Sequence, residues 1–204
     1  LGLGQLKTLD PCSGGIENTN YFADTDQGRY VLTLFERLGF EQLPFYLYLM
    51  QHLAQRGIPV PEPHAALTAG AGSWPGDILH KLKGKPAAVV DRLRGRSELA
   101  PTPAHCAAVG DMLARMHLAG QDFDRQQANL RGLAWWNETV PVVLPYLDPE
   151  QGSLIRSELA YQNHVATLSA YAALPRGPIH ADLFRDNVMF ETSAGGQDQP
   201  SLSG

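Results

Sequence analysis

The chain has only two cysteines, Cys12 and Cys106, in 204 residues. They lack the paired spacing of a zinc site and the even framework of a disulfide-stapled secreted domain, and read as ordinary thiols of a reducing cytoplasm. No apolar run approaches the ~18 residues that a membrane-spanning helix needs, and no leader pattern opens the chain, so a soluble, cytoplasmic protein is expected. There is no block of Lys or Arg. The 16 basic and 21 acidic residues leave a formal charge of −5, against the basic stripe of a nucleic-acid binder. Apart from His180, the histidines are scattered singly and read as surface or helix residues, and no internal repeat is visible. What is plentiful is apolar content, 44%, enough for one large domain or two small lobes with a core. The start at Leu1 and the Ser/Gly-rich finish suggest fragment boundaries or loosely ordered edges.

The first ninety-odd residues read as mostly strand with one helix, and the remainder as mostly helix. Residues 11–20, PCSGGIENTN, form a polar, glycine-containing turn, and a second turn at residues 24–28 leads into a strong strand, RYVLTLF, at 29–35. A helix is predicted over 43–56: Pro44 suits its first turn, Phe45, Leu49 and Leu53 recur at i+4, and Gly57 supplies the stop. The proline-rich run at 58–63 cannot continue it. Strands at 77–82 and 87–93 are expected around a Lys83–Pro86 turn, with a lobe boundary at Arg94-Gly95-Arg96-Ser97. Thr102 and Pro103 open a helix with Val109, Met112, Leu113 and Met116 on one face. Asp148 and Gln151 open another, expected to run to about 173. Trp135 and Trp136 form an aromatic corner, read mainly as core. The expected organisation is α+β: a β-rich lobe at 1–93, then a helical lobe at 94–204, the order of a protein-kinase-like two-lobe fold. An unspecific α+β domain is the competing reading.

The richest segment is PIHADLFRDNVMF at 178–190. It sets Asp182 and Asn187 five residues apart in a polar loop between strand-like runs. Phosphoryl transfer to an alcohol needs a carboxylate to orient the hydroxyl and take its proton, and oxygen ligands for magnesium. Asp182 is the candidate base and Asn187 the candidate metal ligand. His180 reads as a brace for the loop. Arg185 can neutralise phosphate or the carboxylate, or simply face solvent, and Asp186 is either a second metal contact or a turn residue. A chance polar hairpin, or a metal hydrolase using His180, Asp182 and Asp186, remains open; the hydrolase would need further grouped ligands. On the nucleotide side, Ser13, Gly14, Gly15 and Asn18 lie where a loop between the first strands would cover phosphates with backbone N–H groups, although an ordinary turn fits two glycines equally well.

The segments GGIENTNYF, GRYVLTLFERL, GIPVPEP, AAVVDRL, GLAWW and GPIHADLFRDNVMF together resemble bacterial homoserine kinases of the aminoglycoside-phosphotransferase-like family, from about residue 6 to residue 191. The resemblance implies ATP-dependent phosphorylation of the side-chain hydroxyl of L-homoserine, giving O-phosphohomoserine on the route to threonine. It implies Mg2+ and ATP as cofactors, homoserine as small-molecule partner, Asp182 as base and Asn187 as magnesium ligand. Asp91 and Leu93 would lie in the lobe linker, where backbone groups meet adenine.

Two departures from the wider kinase pattern stand out. Thr33 holds the strand position usual for a phosphate-binding Lys, and no acidic partner follows in the next helix; Arg37 is the candidate replacement cation. The second metal-binding Asp, expected on an apolar strand after Asn187, is not found in residues 191–200, and Asp198 lacks the apolar lead-in. The resemblance also implies a longer helical lobe, so the chain is expected to be truncated. A nucleotide-binding or inactive fragment, or a kinase for another small amino alcohol, are the alternatives.

Overall fold

The computed structural model describes residues 1–12, 17–68, 76–191 and 200–204. Two compact units emerge: residues 1–125 with 177–204, and residues 126–176. The sequence-based boundary at 93/94 falls inside the first of them.

That first unit is built on an antiparallel sheet of five strands: β1 (Leu6–Pro11), β2 (Asn18–Thr25), β3 (Arg29–Phe35), β4 (His80–Leu82) and β5 (Lys85–Asp91), in the order β1-β2-β3-β5-β4. The β-branched and aromatic run of β3 takes a central place, paired with β2 through Asn20–Thr33 and with β5 through Thr33–Ala88. β2 begins at Asn18, so Asn18–Asn20 belong to the ladder and not to the preceding turn as the sequence suggests. Helix α1 (Leu43–Ala54) has Pro44 in its first turn, where a missing N–H costs nothing. Its buried line is Leu43, Leu47 and Leu53, not the expected Phe45, Leu49 and Leu53. Leu43 and Leu47 close over Ile78 and Ala88 to form the core. Complete burial of Leu43 and Ile78 contributes roughly 1.5–3 kcal/mol each.

His80 corrects its assignment as a surface or helix residue: it is buried on β4, with its ring Nε2 3.1 Å from the His64 carbonyl. Burial holds its pKa below the ordinary 6.5, outweighing that bond.

Helix α2 (Pro103–Ala119) opens with the expected Thr102 cap, completed as a reciprocal box with His105. After it, His52 of α1 reaches the Ala119 carbonyl at 2.9 Å, and Arg56 meets Asp122 at 2.6 Å. That guanidinium holds the exposed Asp122 carboxyl below its usual range. At the end of the unit, β6 (Phe190–Glu191) pairs with β7 (Ser201–Leu202). The strand-like reading of residues 177–179 is not realised; they carry no regular structure. The run of three is too short, and its proline lacks a ladder donor.

The second unit pairs α3 (Leu133–Val143) with α4 (Pro149–Ala166), followed by the short α5 (Ser169–Ala172). Asp148 and Gln151 form the expected capping box. The predicted single helix to 173 breaks after Ala166, where Thr167 caps it and its hydroxyl turns back onto the His164 carbonyl at 2.7 Å. A reciprocal amide pair fixes the register of the two helices: Asn137 and Asn163 exchange Nδ2–H···Oδ1 bonds of 3.1 and 2.9 Å. Trp135 and Trp136, read as core, are 37% and 38% exposed. They line a groove of about 390 Å³ within this unit, together with Val140 and Leu159.

Candidate active site

The loop from His180 to Asn187 is a folded turn. Phe184 N–H donates to the Asp182 carbonyl at 3.0 Å, and Asn187 N–H to the Phe184 carbonyl at 2.9 Å, closing a single 3-10 turn over Arg185–Asn187. The five-residue spacing of Asp182 and Asn187 therefore becomes direct contact. Asn187 Nδ2 donates to the Asp182 main-chain carbonyl at 2.9 Å and approaches carboxylate Oδ2 at 3.4 Å. His180 holds the other side of Asp182, its ring Nδ1 accepting the Asp182 N–H at 3.3 Å. His180 is itself held, its own N–H reaching Nε2 of His117 on α2 at 3.4 Å. Ala181, between them, takes φ +62°, a left-handed conformation that a non-glycine residue adopts at a cost. Both Asp182 and Asn187 are exposed, open to a substrate.

With Nδ2 turned to Asp182, Asn187 Oδ1 is left as an acceptor. Hard oxygen donors of this kind suit magnesium, which is commonly held by one or two side-chain oxygens together with phosphate and water. Among the described residues no group of three or more His, Cys, Asp or Glu gathers as a metal site, so the hydrolase ligand set of His180, Asp182 and Asp186 is not assembled.

An apolar groove of about 270 Å³ is lined by His180 and Asn187 of the loop and by Val109, Met112 and Met116 of α2. These are the residues whose spacing marked one face of α2.

Of the expected nucleotide-site residues, Ser13, Gly14 and Gly15 lie outside the described residues, as does Asp198. Asn18 begins β2. Strand register places it on the face shared by Asn20, Thr33, Phe35 and Ala88. The Thr33 hydroxyl donates to Asn20 Oδ1 at 2.8 Å, a neutral hydroxyl–amide pair on that face. Arg37 is paired with Glu17 at 2.9 Å, both exposed. On the neighbouring edge, Lys85 Nζ meets Glu36 at 2.5 Å and Thr19 adds a second hydrogen bond, holding the Glu36 carboxyl below its usual range.

The Asp91 carboxylate is engaged by His64 Nε2 at 2.7 Å, and its N–H donates to the Glu62 carbonyl. Arg92 N–H bonds Arg29 O, and its guanidinium lies 3.8 Å from the centre of the Phe22 ring. Leu93, the next residue, has no hydrogen-bond partner among the described residues.

His64 as the partner of Asp91 is a residue that sequence reasoning missed, because nothing local ties positions 27 apart. The role of the linker at 94–99 was missed as well. It reads as a mere boundary, yet Arg96 exchanges two backbone hydrogen bonds with Phe190, of 3.0 and 2.9 Å. The glycine at its centre was the available signal. Gly95 has φ +92°, and a Cβ there would collide with the Phe190 carbonyl.

Residues 8–200 match the model of the phosphotransferase enzyme family, and the chain belongs to that family. It is 73% identical over 191 residues to a homoserine kinase of Polaromonas naphthalenivorans (strain CJ2), covering 94% of this chain and 58% of that protein. It is 53% identical over 201 residues to a homoserine kinase of Ralstonia pickettii (strain 12J), covering 97% and 58%. The chain thus spans little more than half the length of the curated relatives it matches. Among solved structures, an amicoumacin kinase in complex with AMP-PNP, Ca2+ and Ami superposes with a TM-score of 0.61 at 17% identity, covering 98% of this chain and 59% of that one. At that identity the likeness establishes the fold alone: the chain has a protein-kinase-like α+β fold and includes part of its helical portion.

Proposed function

We propose that the protein containing this chain phosphorylates the side-chain hydroxyl of L-homoserine with ATP, giving O-phosphohomoserine. The observation that carries this reading is the Asp182–Asn187 turn, found in a chain 73% identical to a homoserine kinase. In the proposed reaction Asp182 accepts a hydrogen bond from the acceptor hydroxyl, aims its oxygen at the terminal phosphorus and takes its proton as the new bond forms. His180 and Asn187 hold the Asp182 main chain from its N–H and its carbonyl, and Asn187 Nδ2 also approaches the carboxylate, so little reorganisation is needed during transfer. Asn187 Oδ1 would hold Mg2+, which when bound offsets the charge of the transferring phosphoryl group.

Residues 1–93 would form the nucleotide lobe and residues 94–204 the start of the acceptor lobe. The Leu93 N–H and the Asp91 carbonyl are suited to adenine, since the Asp91 carboxylate and N–H are already engaged. Ser13, Gly14, Gly15 and Asn18 would cover the phosphates. With Thr33 neutral, the phosphate charge falls to the metal and to backbone N–H groups. The test is a panel assay on the full-length protein, following ADP release with L-homoserine, L-serine, L-threonine and choline in Mg-ATP. Turnover at least tenfold faster with homoserine is expected. Equal or faster turnover of another alcohol would overturn the choice of acceptor.

A further inference from the structure

The loop is fastened on its outer side by two side chains that neither the transfer chemistry nor the nucleotide reading uses. Arg185 Nη1 donates to the Leu99 carbonyl at 2.8 Å, and Ser97 Oγ donates to the Asp186 carbonyl at 3.1 Å. The two bonds run in opposite directions across the same gap, one from loop to linker and one from linker to loop. The linker itself is anchored: Arg96 pairs with Phe190, and the Arg94 carbonyl accepts from Ser203 Oγ at 2.7 Å. The segment that leaves Leu93 is thus tied to β6, to Ser203 just after β7, and to the turn ending in Asn187.

We infer that Arg185 and Ser97 are positioning residues, a two-point clamp that holds the Arg185–Asn187 turn against the linker and so sets Asn187 against Asp182. The sequence left Arg185 open between phosphate, carboxylate and solvent. The structure directs its guanidinium to a main-chain carbonyl, and a charged donor on a carbonyl is among the stronger neutral-acceptor bonds. The turn needs such a clamp because its residues are exposed and it is closed by only two main-chain hydrogen bonds. Without the clamp the turn can open, and Asn187 can leave Asp182 and loosen its hold on the metal while the homoserine site stays formed. The inference rests on reading residues 182–187 as the transfer loop. Its signature is a loss in turnover with little change in homoserine binding.

The test uses the full-length protein and the variants Arg185→Met, Arg185→Lys and Ser97→Ala, with two readouts. In steady-state kinetics, kcat of Arg185→Met and Ser97→Ala should fall about tenfold, the worth of one such hydrogen bond. KM for homoserine should stay within about twofold. Arg185→Lys, which keeps a donor for the single carbonyl, should recover most of kcat. In hydrogen exchange, which needs no substrate, the Asn187 and Phe184 amides should exchange about tenfold faster in Arg185→Met. The Ala66 amide, bonded to Asp77 in the sheet region, should be unchanged and reports that the variant is folded. Failure of the wild-type protein to turn over homoserine would remove the proposed acceptor but leave the exchange result to decide the clamp. Unchanged exchange at Asn187, a homoserine KM effect carrying the whole loss, or equal losses in Arg185→Lys and Arg185→Met would overturn the inference.

Discussion

Gly95 and Gly84 form a controlled pair for testing how the linker is seated. Their backbone angles are nearly the same, φ +92° and +87°. Their surroundings differ: a Cβ on Gly84 would meet nothing within 4 Å, whereas one on Gly95 would run into the Phe190 carbonyl. Gly84→Ala should therefore incur only the left-handed penalty of an L-residue, about 1–2 kcal/mol. Gly95→Ala incurs the same penalty plus displacement of a packed backbone, about 1–3 kcal/mol more. The expected total is about 2–5 kcal/mol. Most of the excess comes from loosening the Arg96–Phe190 pairing that seats β6. Urea unfolding of the two variants beside the wild-type protein measures the difference directly, since the shared angle cancels. Gly95→Ala should also lower turnover, because β6 immediately follows the Asp182–Asn187 turn; Gly84→Ala should not. Equal destabilisation by the two substitutions would refute the close approach and, with it, the tight seating of the linker.

Two further predictions concern stability. His80 is buried with a lowered pKa; as pH falls through 6.5 the unfolded chain gains a proton that the folded chain resists. Stability should therefore be full above about pH 7 and decline between about pH 6.5 and the lower folded-state pKa. His80→Gln should flatten that slope, as read from urea midpoints at pH 7.5 and 5.5, and an unchanged slope would assign it to other groups. In the second unit, Asp148→Ala removes the cap on Gln151 N–H, 2.8 Å in the wild type. A loss of about 1 kcal/mol is expected, with Asp148→Asn restoring most of it in the same unfolding assay.

The features legible in the sequence are those set by local chemistry. Thr102 and Asp148 announce their helices because a cap acts within three residues, and the β-branched run at Arg29–Phe35 became a central strand. The joining of Asp182 and Asn187 in one turn was legible because the two lie only five residues apart. What escaped was non-local. The buried face of α1 runs through Leu43 and Leu47 because Ile78 and Ala88, more than thirty residues away, decide which side is covered. His80 carries no sequence mark of burial. The pairing of His64 with Asp91, and of Arg185 with Leu99, depends on how the strands and linker are brought together. Gly95 alone offered a hint, since a glycine at the centre of a linker often marks close backbone approach.

The central claim is that the Asp182 carboxylate serves as the base for transfer to homoserine, and replacement of that carboxylate by an isosteric amide tests it most directly. In the full-length protein, Asp182→Asn should leave the fold and Mg-ATP affinity near wild type and lower kcat for homoserine-dependent ADP release by about 10²–10⁴-fold. Release of ADP by Asp182→Asn within tenfold of the wild-type rate would contradict the account.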